Sequence, residues 1–324
     1  MAMADITVRG AGIFGLSIAW VLVQRGARVQ LIDPFGAGAG SSGGIVGALA
    51  PHVPENWNAK KAFQFDSLRM TAPFWAGVQD AGGVDPGYRR SGRLQPVADA
   101  AALDLARRRA LTATDLWQGF AQWRVVARSE FGAWAPPSPT GYLIHDTLSA
   151  HLHPRRACAA LVAALATKGV TVQPDATHKG AVIWATGWQG LQELSAQTGK
   201  PVGNGVKGQA ALFDYDGGDG AQLFADALHI IPHGDGTVAV GSTSERAFSA
   251  PGSTDAALDD VIARARAALP LLQDARVIAR WAGVRPRAKS RAPVLGAHPL
   301  TEGHFIANGG FKIGFGMAVK VAQV

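Results

Sequence analysis

The sequence predicts an α/β chain, α+β overall, of two domains, one around a parallel sheet and one around a mainly antiparallel sheet. Three observations carry this. Residues 5–33 read strand, glycine turn, helix, strand, a βαβ unit that implies parallel pairing. From about residue 206, short apolar runs alternate with turns such as Gly234-Asp235-Gly236, the pattern of an antiparallel sheet. Glycine-rich α/β character then returns near the C-terminus. A length of 324 residues also favours two cores over one.

The elements follow in order. Asp5–Arg9 is a β-rich run, Gly10–Gly15 a turn, Leu16–Gln24 an apolar helix with Gly26 just past its end, and Arg28–Asp33 a second strand. Helical periodicity covers 60–78 and 100–122, the latter with Asp99 as N-cap. A proline-rich connection spans 133–140. A helix over 154–168 stops at Gly169, Val170–Val172 is a strand, and Ala181–Ala185 is a buried strand that runs into Thr186-Gly187. Strands over 208–213, 228–232 and 237–241 precede a helix over 253–269, closed by Pro270. A strand over 277–284, a glycine-rich stretch over 303–316 and the start of a helix complete the chain. These shifts place residues 1–85, 146–203 and 286–324 in the first domain, and 86–145 and 204–285 in the second.

Composition narrows the function. Hydrophobic residues make up 48% and charged residues 17%, a globular balance that excludes a disordered chain. A single cysteine, Cys158, excludes an internal disulfide framework and a cysteine-rich zinc site. The histidines at 145, 151 and 153 lack companion ligands, so no metal is expected. The apolar stretch Ile6–Val23 carries Arg9 and has neither a signal peptide's basic start nor its cleavage site, which suits a cytoplasmic protein. A net charge of +7 permits an anionic partner without establishing nucleic-acid binding. Glycine is in excess, at 40 residues. Fourteen of these fall in two short regions, at 10, 12, 15, 36, 38, 40, 43, 44 and 47, and at 303, 309, 310, 314 and 316.

Four constellations could carry chemistry. Gly10, Gly12 and Gly15 lie between a strand and a helix, and Asp33 ends the next strand. This is the context of a Rossmann dinucleotide fingerprint, in which glycines allow a tight turn and close backbone approach while the acid takes a ribose diol. The loop Gly36–Gly47 can lie flat against a ligand and offer N–H and hydroxyl donors; the apolar residues interleaved in it argue against a flexible linker. Arg285, in Trp281-Ala-Gly-Val-Arg-Pro-Arg287, ends an apolar strand and suits a bidentate carboxylate clamp; a surface arginine accounts for it equally well. Lys312, between the glycines of 309–316, suits a cation aimed at a planar ligand; a surface lysine in a turn fits equally well.

Together these residues resemble the FAD-dependent amine and amino-acid oxidoreductases of the D-amino-acid oxidase superfamily, the group of glycine oxidase and sarcosine oxidase. The resemblance spans Val8–Gly15 with Asp33, Ser41–Pro51, Ala185–Gly187, Ile231–Gly236 before Val240–Thr243, Trp281–Pro286 and Gly309–Gly316. It implies non-covalent FAD, because the cysteine that tethers flavin in sarcosine oxidases has no counterpart. Gly10, Gly12, Ile13, Phe14, Gly15, Asp33 and Pro34 would hold the nucleotide, and Ser41, Ser42, Gly43 and Gly44 would follow the pyrophosphate and flavin. Val172 would meet the adenine side through its backbone, and Thr186 and Gly187 would line the nucleotide. Gly283, Gly309, Gly310 and Phe311 would border the flavin with Arg285 and Lys312. Arg285 would bind a substrate carboxylate, with Lys312 as a second cation. Aspartate at 33 stands where family members more often have glutamate, and Val324 falls early in a helix that they continue.

The implied reaction is oxidation of the C–N bond of an amino acid or secondary amine that carries a carboxylate. Hydride passes to flavin N5, and electrons then go to O2 or another acceptor. Gly47–Pro51 also resembles the oxidase domain of a bifunctional tRNA wobble-uridine modification enzyme, which offers the carboxymethylaminomethyl group of tRNA as an alternative substrate. A third reading is a non-catalytic flavin-binding subunit of a larger assembly.

Overall fold

A computed structural model describes residues 5–324. The chain runs β1 (Asp5–Arg9), α1 (Ile13–Gln24), β2 (Arg28–Ile32), β3 (Ala48–Leu49), α2 (Ala59–Gly82), β4 (Arg93–Pro96), α3 (Ala100–Leu116) and β5 (Trp123–Ala127). It continues through β6 (Tyr142–Asp146), β7 (Ala150–His151), α4 (Pro154–Ala166), β8 (Val172–Gln173), β9 (Ala181–Trp184), α5 (Gly187–Thr198), β10 (Gly203–Asp214) and β11 (Gln222–Ala225). Then come β12 (Leu228–His233), β13 (Thr237–Gly241), α6 (Ala256–Ala268), β14 (Arg276–Ala288), β15 (Val294–Ala297), β16 (His304–Asn308) and α7 (Gly314–Val321).

Both predicted sheets are present. The first has six strands in the order β15-β16-β9-β1-β2-β8, parallel except for the β15 edge. The second has eight, in the order β14-β10-β13-β12-β11-β4-β6-β5, antiparallel except where β11 meets β4. The order β9-β1-β2 places the carboxyl ends of β1 and β9 side by side, the position where open α/β sheets bind ligands.

Local chemistry explains the boundaries. Asp99 caps α3 as expected, accepting from Ala102 N at 2.7 Å. Asn58 and Asp255 do the same for α2 and α6. The residues of α1 from Ile13 to Trp20 are all buried, as an apolar helix against a sheet requires. Three expectations shift. Helix α1 begins at Ile13 rather than Leu16, so Gly15 lies inside it. Helix α3 stops at Leu116, because Gln118 and Gly119 take left-handed φ values of 52° and 70°. Helix α5 and strands β4, β5, β6, β11, β15 and β16 arise where no element was predicted. No helix of the described residues is long and apolar enough to cross a membrane.

Three apolar clusters hold the molecule. The largest joins α1, α2, α4 and α7 to the six-stranded sheet, and takes in Ala106 and Ala113 of α3. The second packs α6 against the eight-stranded sheet. The third is small: Ile45 from the glycine loop meets Ala210, Ile231 and Ala239, with Trp281 alongside. It seats the loop on the second sheet. Beside it, His233 Nε2–H donates to Ile45 O at 3.0 Å, and the His153 ring stands 4.5 Å from that of His233.

Two predictions follow from this packing. Arg93 and Asp146, paired at 2.9 Å on neighbouring strands, are 8% and 0% exposed. Asp146→Ala strands a buried cation and is expected to lower unfolding free energy by about 3–5 kcal/mol, read from the urea midpoint. Burial, aided by neighbouring charge, pushes His233 down to about 4 and His151 to about 3. The unfolded chain therefore protonates first, near its ordinary 6.5. Stability from these histidines is whole above that pH and is lost as pH falls toward the folded values. The melting temperature is expected to drop across that window, and His233→Asn to flatten the drop; an unchanged slope would assign the titration elsewhere.

Candidate active site

The first half of the site is a junction of bare backbone. Gly10 follows β1 with φ +103°, and a Cβ there would stand 2.4 Å from Ala185 O. A Cβ at Gly15 would stand 1.7 Å from Gly10 O. Only glycine lets the turn, the helix and the end of β9 come this close. Gly12 is the extended N-cap of α1, and Ile13 N donates to Ser42 Oγ at 2.9 Å. Asp33 accepts from Ala11 N at 2.7 Å and from Phe35 N at 2.9 Å. Its carboxylate thus folds the glycine turn, and its remaining lone pairs can still accept from a ribose diol.

Around this junction lies a cavity of about 520 Å³. Twelve of the predicted residues line it: Gly10, Gly12, Ile13, Phe14, Asp33, Pro34, Ser41, Ser42, Thr186, Gly187, Gly310 and Phe311. Residues from the first strand and from the last glycine stretch, three hundred positions apart, therefore share one wall. Six others stand behind or beside the lining. Gly15 lies under the turn. A Cβ at Gly43 would meet Gly38 O at 2.3 Å, one at Gly44 would meet Trp281 at 3.3 Å, and one at Gly283 would meet the same ring at 2.4 Å. Gly309 turns the chain with φ +83°. Val172 pairs with Leu31 at the edge of the sheet, outside the lining.

Sequence reasoning missed Arg9, Trp184 and Asn308, which also line the cavity. Arg9 lies over the Trp184 ring at 5.7 Å, and Asn308 Nδ2–H donates to Gly187 O at 2.8 Å. Arg9 and Trp184 were findable, since Arg9 is the last and Trp184 the next-to-last residue of a predicted strand that runs into a flagged turn. Asn308 was not, because its strand was unassigned.

The second half of the site is cationic. Arg285 of β14 is only 8% exposed. Its Nη2–H groups donate to Thr243 O at 2.8 Å and Ser242 Oγ at 3.1 Å. It fits because Gly208 is bare: a Cβ there would fall 1.3 Å from Nη2. Register places Gly283 opposite Gly208 and Trp281 opposite Ala210, so Arg285 shares its sheet face with the residues that meet the glycine loop. Burial pushes Arg285 down to about 10, with Glu245 opposing the shift. Solvent reaches Lys312, yet surrounding protein and then the charge of Arg285 hold its pKa below the ordinary lysine value. His229, across β13 from this group, is pushed to about 3 by burial and then by Arg93 and Lys312, so it is neutral at pH 7. Val284 and Pro286 beside Arg285, and Phe311 beside Lys312, line the cavity, but neither of these two cations does. The glycine-lined cradle suits a phosphorylated planar cofactor, and the neighbouring cations an anionic ligand. Gly15→Ala drives a methyl group into Gly10 O and is expected to abolish flavin uptake, read as loss of absorbance near 450 nm.

Comparison with known proteins agrees. The family described as FAD dependent oxidoreductase matches residues 5–324. A putative thiamine biosynthesis oxidoreductase of Rhizobium etli is 28% identical over 340 residues, covering 98% of this chain and 94% of that protein. A glycine oxidase of Pseudomonas putida is 26% identical over 350 residues, covering 99% and 93%. Among solved structures, iminodiacetate oxidase from Chelativorans superposes with a TM-score of 0.86 at 22% identity, covering 98% and 93%. Glycine oxidase from Geobacillus kaustophilus gives 0.84 at 19%, covering 100% and 93%. The chain belongs to the FAD-dependent oxidoreductases of the D-amino-acid oxidase family, and FAD is its cofactor.

Proposed function

We propose that the protein oxidises the C–N bond of an amino acid or secondary amine that carries a carboxylate. One observation carries this reading: Arg285 is a buried guanidinium with no ion-pair partner among the described residues. Glu245, the acid that favours its charged form, is itself paired with Lys207 at 3.4 Å. A buried cation without a counter-ion is costly, and a bound carboxylate removes that cost with charge-assisted hydrogen bonds. The names of similar proteins, oxidases of glycine and of iminodiacetate, point to the same class, since both compounds are amines bearing carboxylates.

In this reading the glycine turn, Asp33, Thr186 and Gly187 hold the nucleotide, and Ser41–Gly44 run along the flavin. The flavin supplies the acceptor, N5, for the hydride of the α-C–H bond. Arg285 grips the carboxylate and fixes the amine's orientation, and Lys312, close enough to feel the charge of Arg285, adds a second cation. His229, being neutral, adds no competing charge. Catalysis by the chain is then mainly positioning. FAD is held without a covalent bond: Cys158 is buried, its thiol is pushed up to about 12 by desolvation, and it is thus no thiolate nucleophile.

Purified protein is expected to be yellow and to release all its flavin on acid precipitation. Anaerobic addition of carboxylated amines should bleach it; a colourless protein, or one that no such amine reduces, sinks the proposal. Arg285→Ala is expected to raise KM for a carboxylated substrate about thirtyfold or more, the loss of about 2 kcal/mol or more. An unchanged KM removes the clamp.

A further inference from the structure

The segment after β13 is gripped from the far side of the sheet. Residues 243–245 extend the pairing with β10. Lys207 N donates to Glu245 O and Glu245 N to Lys207 O, both at 2.9 Å. Gln209 N donates to Thr243 Oγ1 at 2.8 Å. Lys207 and Gln209 alternate with Gly208 along the strand, so their side chains lie on the face opposite the notch that seats Arg285. On that face Lys207, 3% exposed, stands 3.4 Å from Glu245 and 3.3 Å from Asp255. Gln209 Nε2–H donates to Glu245 at 3.1 Å and to Asp255 at 2.8 Å. Thr243 Oγ1–H donates to Glu245 as well. Glu245 therefore ties a buried lysine, a buried amide and the loop hydroxyl together. The carbonyl of that same Thr243 is what orients Arg285.

We propose that Glu245 is a positioning residue for Arg285: by locking Thr243 to β10 from behind, it aims the guanidinium at the substrate carboxylate. This rests on the reading above, that Arg285 binds that carboxylate. An arginine side chain has many rotamers, and a fork already oriented loses less entropy when the anion arrives. None of these residues lines the cofactor cavity, so the effect falls on substrate affinity rather than on flavin uptake.

In the holoenzyme, Glu245→Ala is expected to raise KM for a carboxylated amine about tenfold with kcat within about twofold, a coupling of ordinary size. Glu245→Gln, which keeps an acceptor for Thr243 and Gln209, should recover most of the affinity. Thr243→Val cuts the tie without leaving a charge unpaired and should raise KM about fivefold, which keeps the test open if Glu245→Ala misfolds. Acetate affinity, read from the flavin absorbance shift, completes a double-mutant cycle. In an Arg285→Ala background, Glu245→Ala should change it less than about twofold. Equal effects in both backgrounds, or an unchanged KM in both loop variants, overturn the proposal alone. Acetate affinity indifferent to Arg285→Ala overturns the carboxylate reading and this proposal with it.

Discussion

The contact on which the rest depends is between main chains. Gly10 lies against Ala185, and Gly15 lies against Gly10, with no side chain between them. This brings α1 down onto β1 and opens the crevice where β1 and β9 end. Asp33 reinforces the junction by accepting from the turn itself. A larger residue at either glycine would push the helix off the strand, and with it the N–H groups that face the cavity. The six-stranded sheet, the cavity and the seat of the glycine loop are all placed relative to this one approach.

The glycine loop is one of the joints between the two sheets. Ile45 and Val46 of the glycine loop meet Ala210, Ile231 and Ala239, and His233 holds Ile45 by its carbonyl. The loop thus serves both sides, with its serines facing the cavity and its apolar residues keyed into the other sheet. Its glycines explain why it can do so. Gly38, Gly43 and Gly47 let it pass within contact of Cys158, of its own backbone and of Leu152 O. The interleaving of apolar residues among glycines, seen in the sequence, is the trace of this double duty.

Much of this was legible in the sequence, and the reason is locality. The fingerprint and Asp33 sit at strand ends marked by glycine and by apolar runs, so residue type and spacing sufficed; Ser41, Ser42, Thr186 and Gly187 were reached through the family resemblance. Strand β4 was not legible. Its four residues, Arg93-Leu-Gln-Pro96, form a strand only because β6 and β11 flank them. Strands β15 and β16 depend likewise on pairing with each other and with β9. Helix α5 was hidden by the glycines at 187 and 190, which usually signal a turn. Lys207, Gln209 and Glu245 were not singled out, because nothing local shows that the chain folds back and brings them together.

The seat of Arg285 has one more consequence. A side chain missing at 208 makes room for a charge that no acid among the described residues pairs with directly, and burial disfavours that charged form. Any ligand that supplies the missing negative charge binds the folded state and not the unfolded one, and must raise the melting temperature in proportion to its occupancy. Heat tolerance thereby becomes a reporter of chemical identity: a panel of carboxylated amines can be ranked by thermal shift alone, with no knowledge of the electron acceptor.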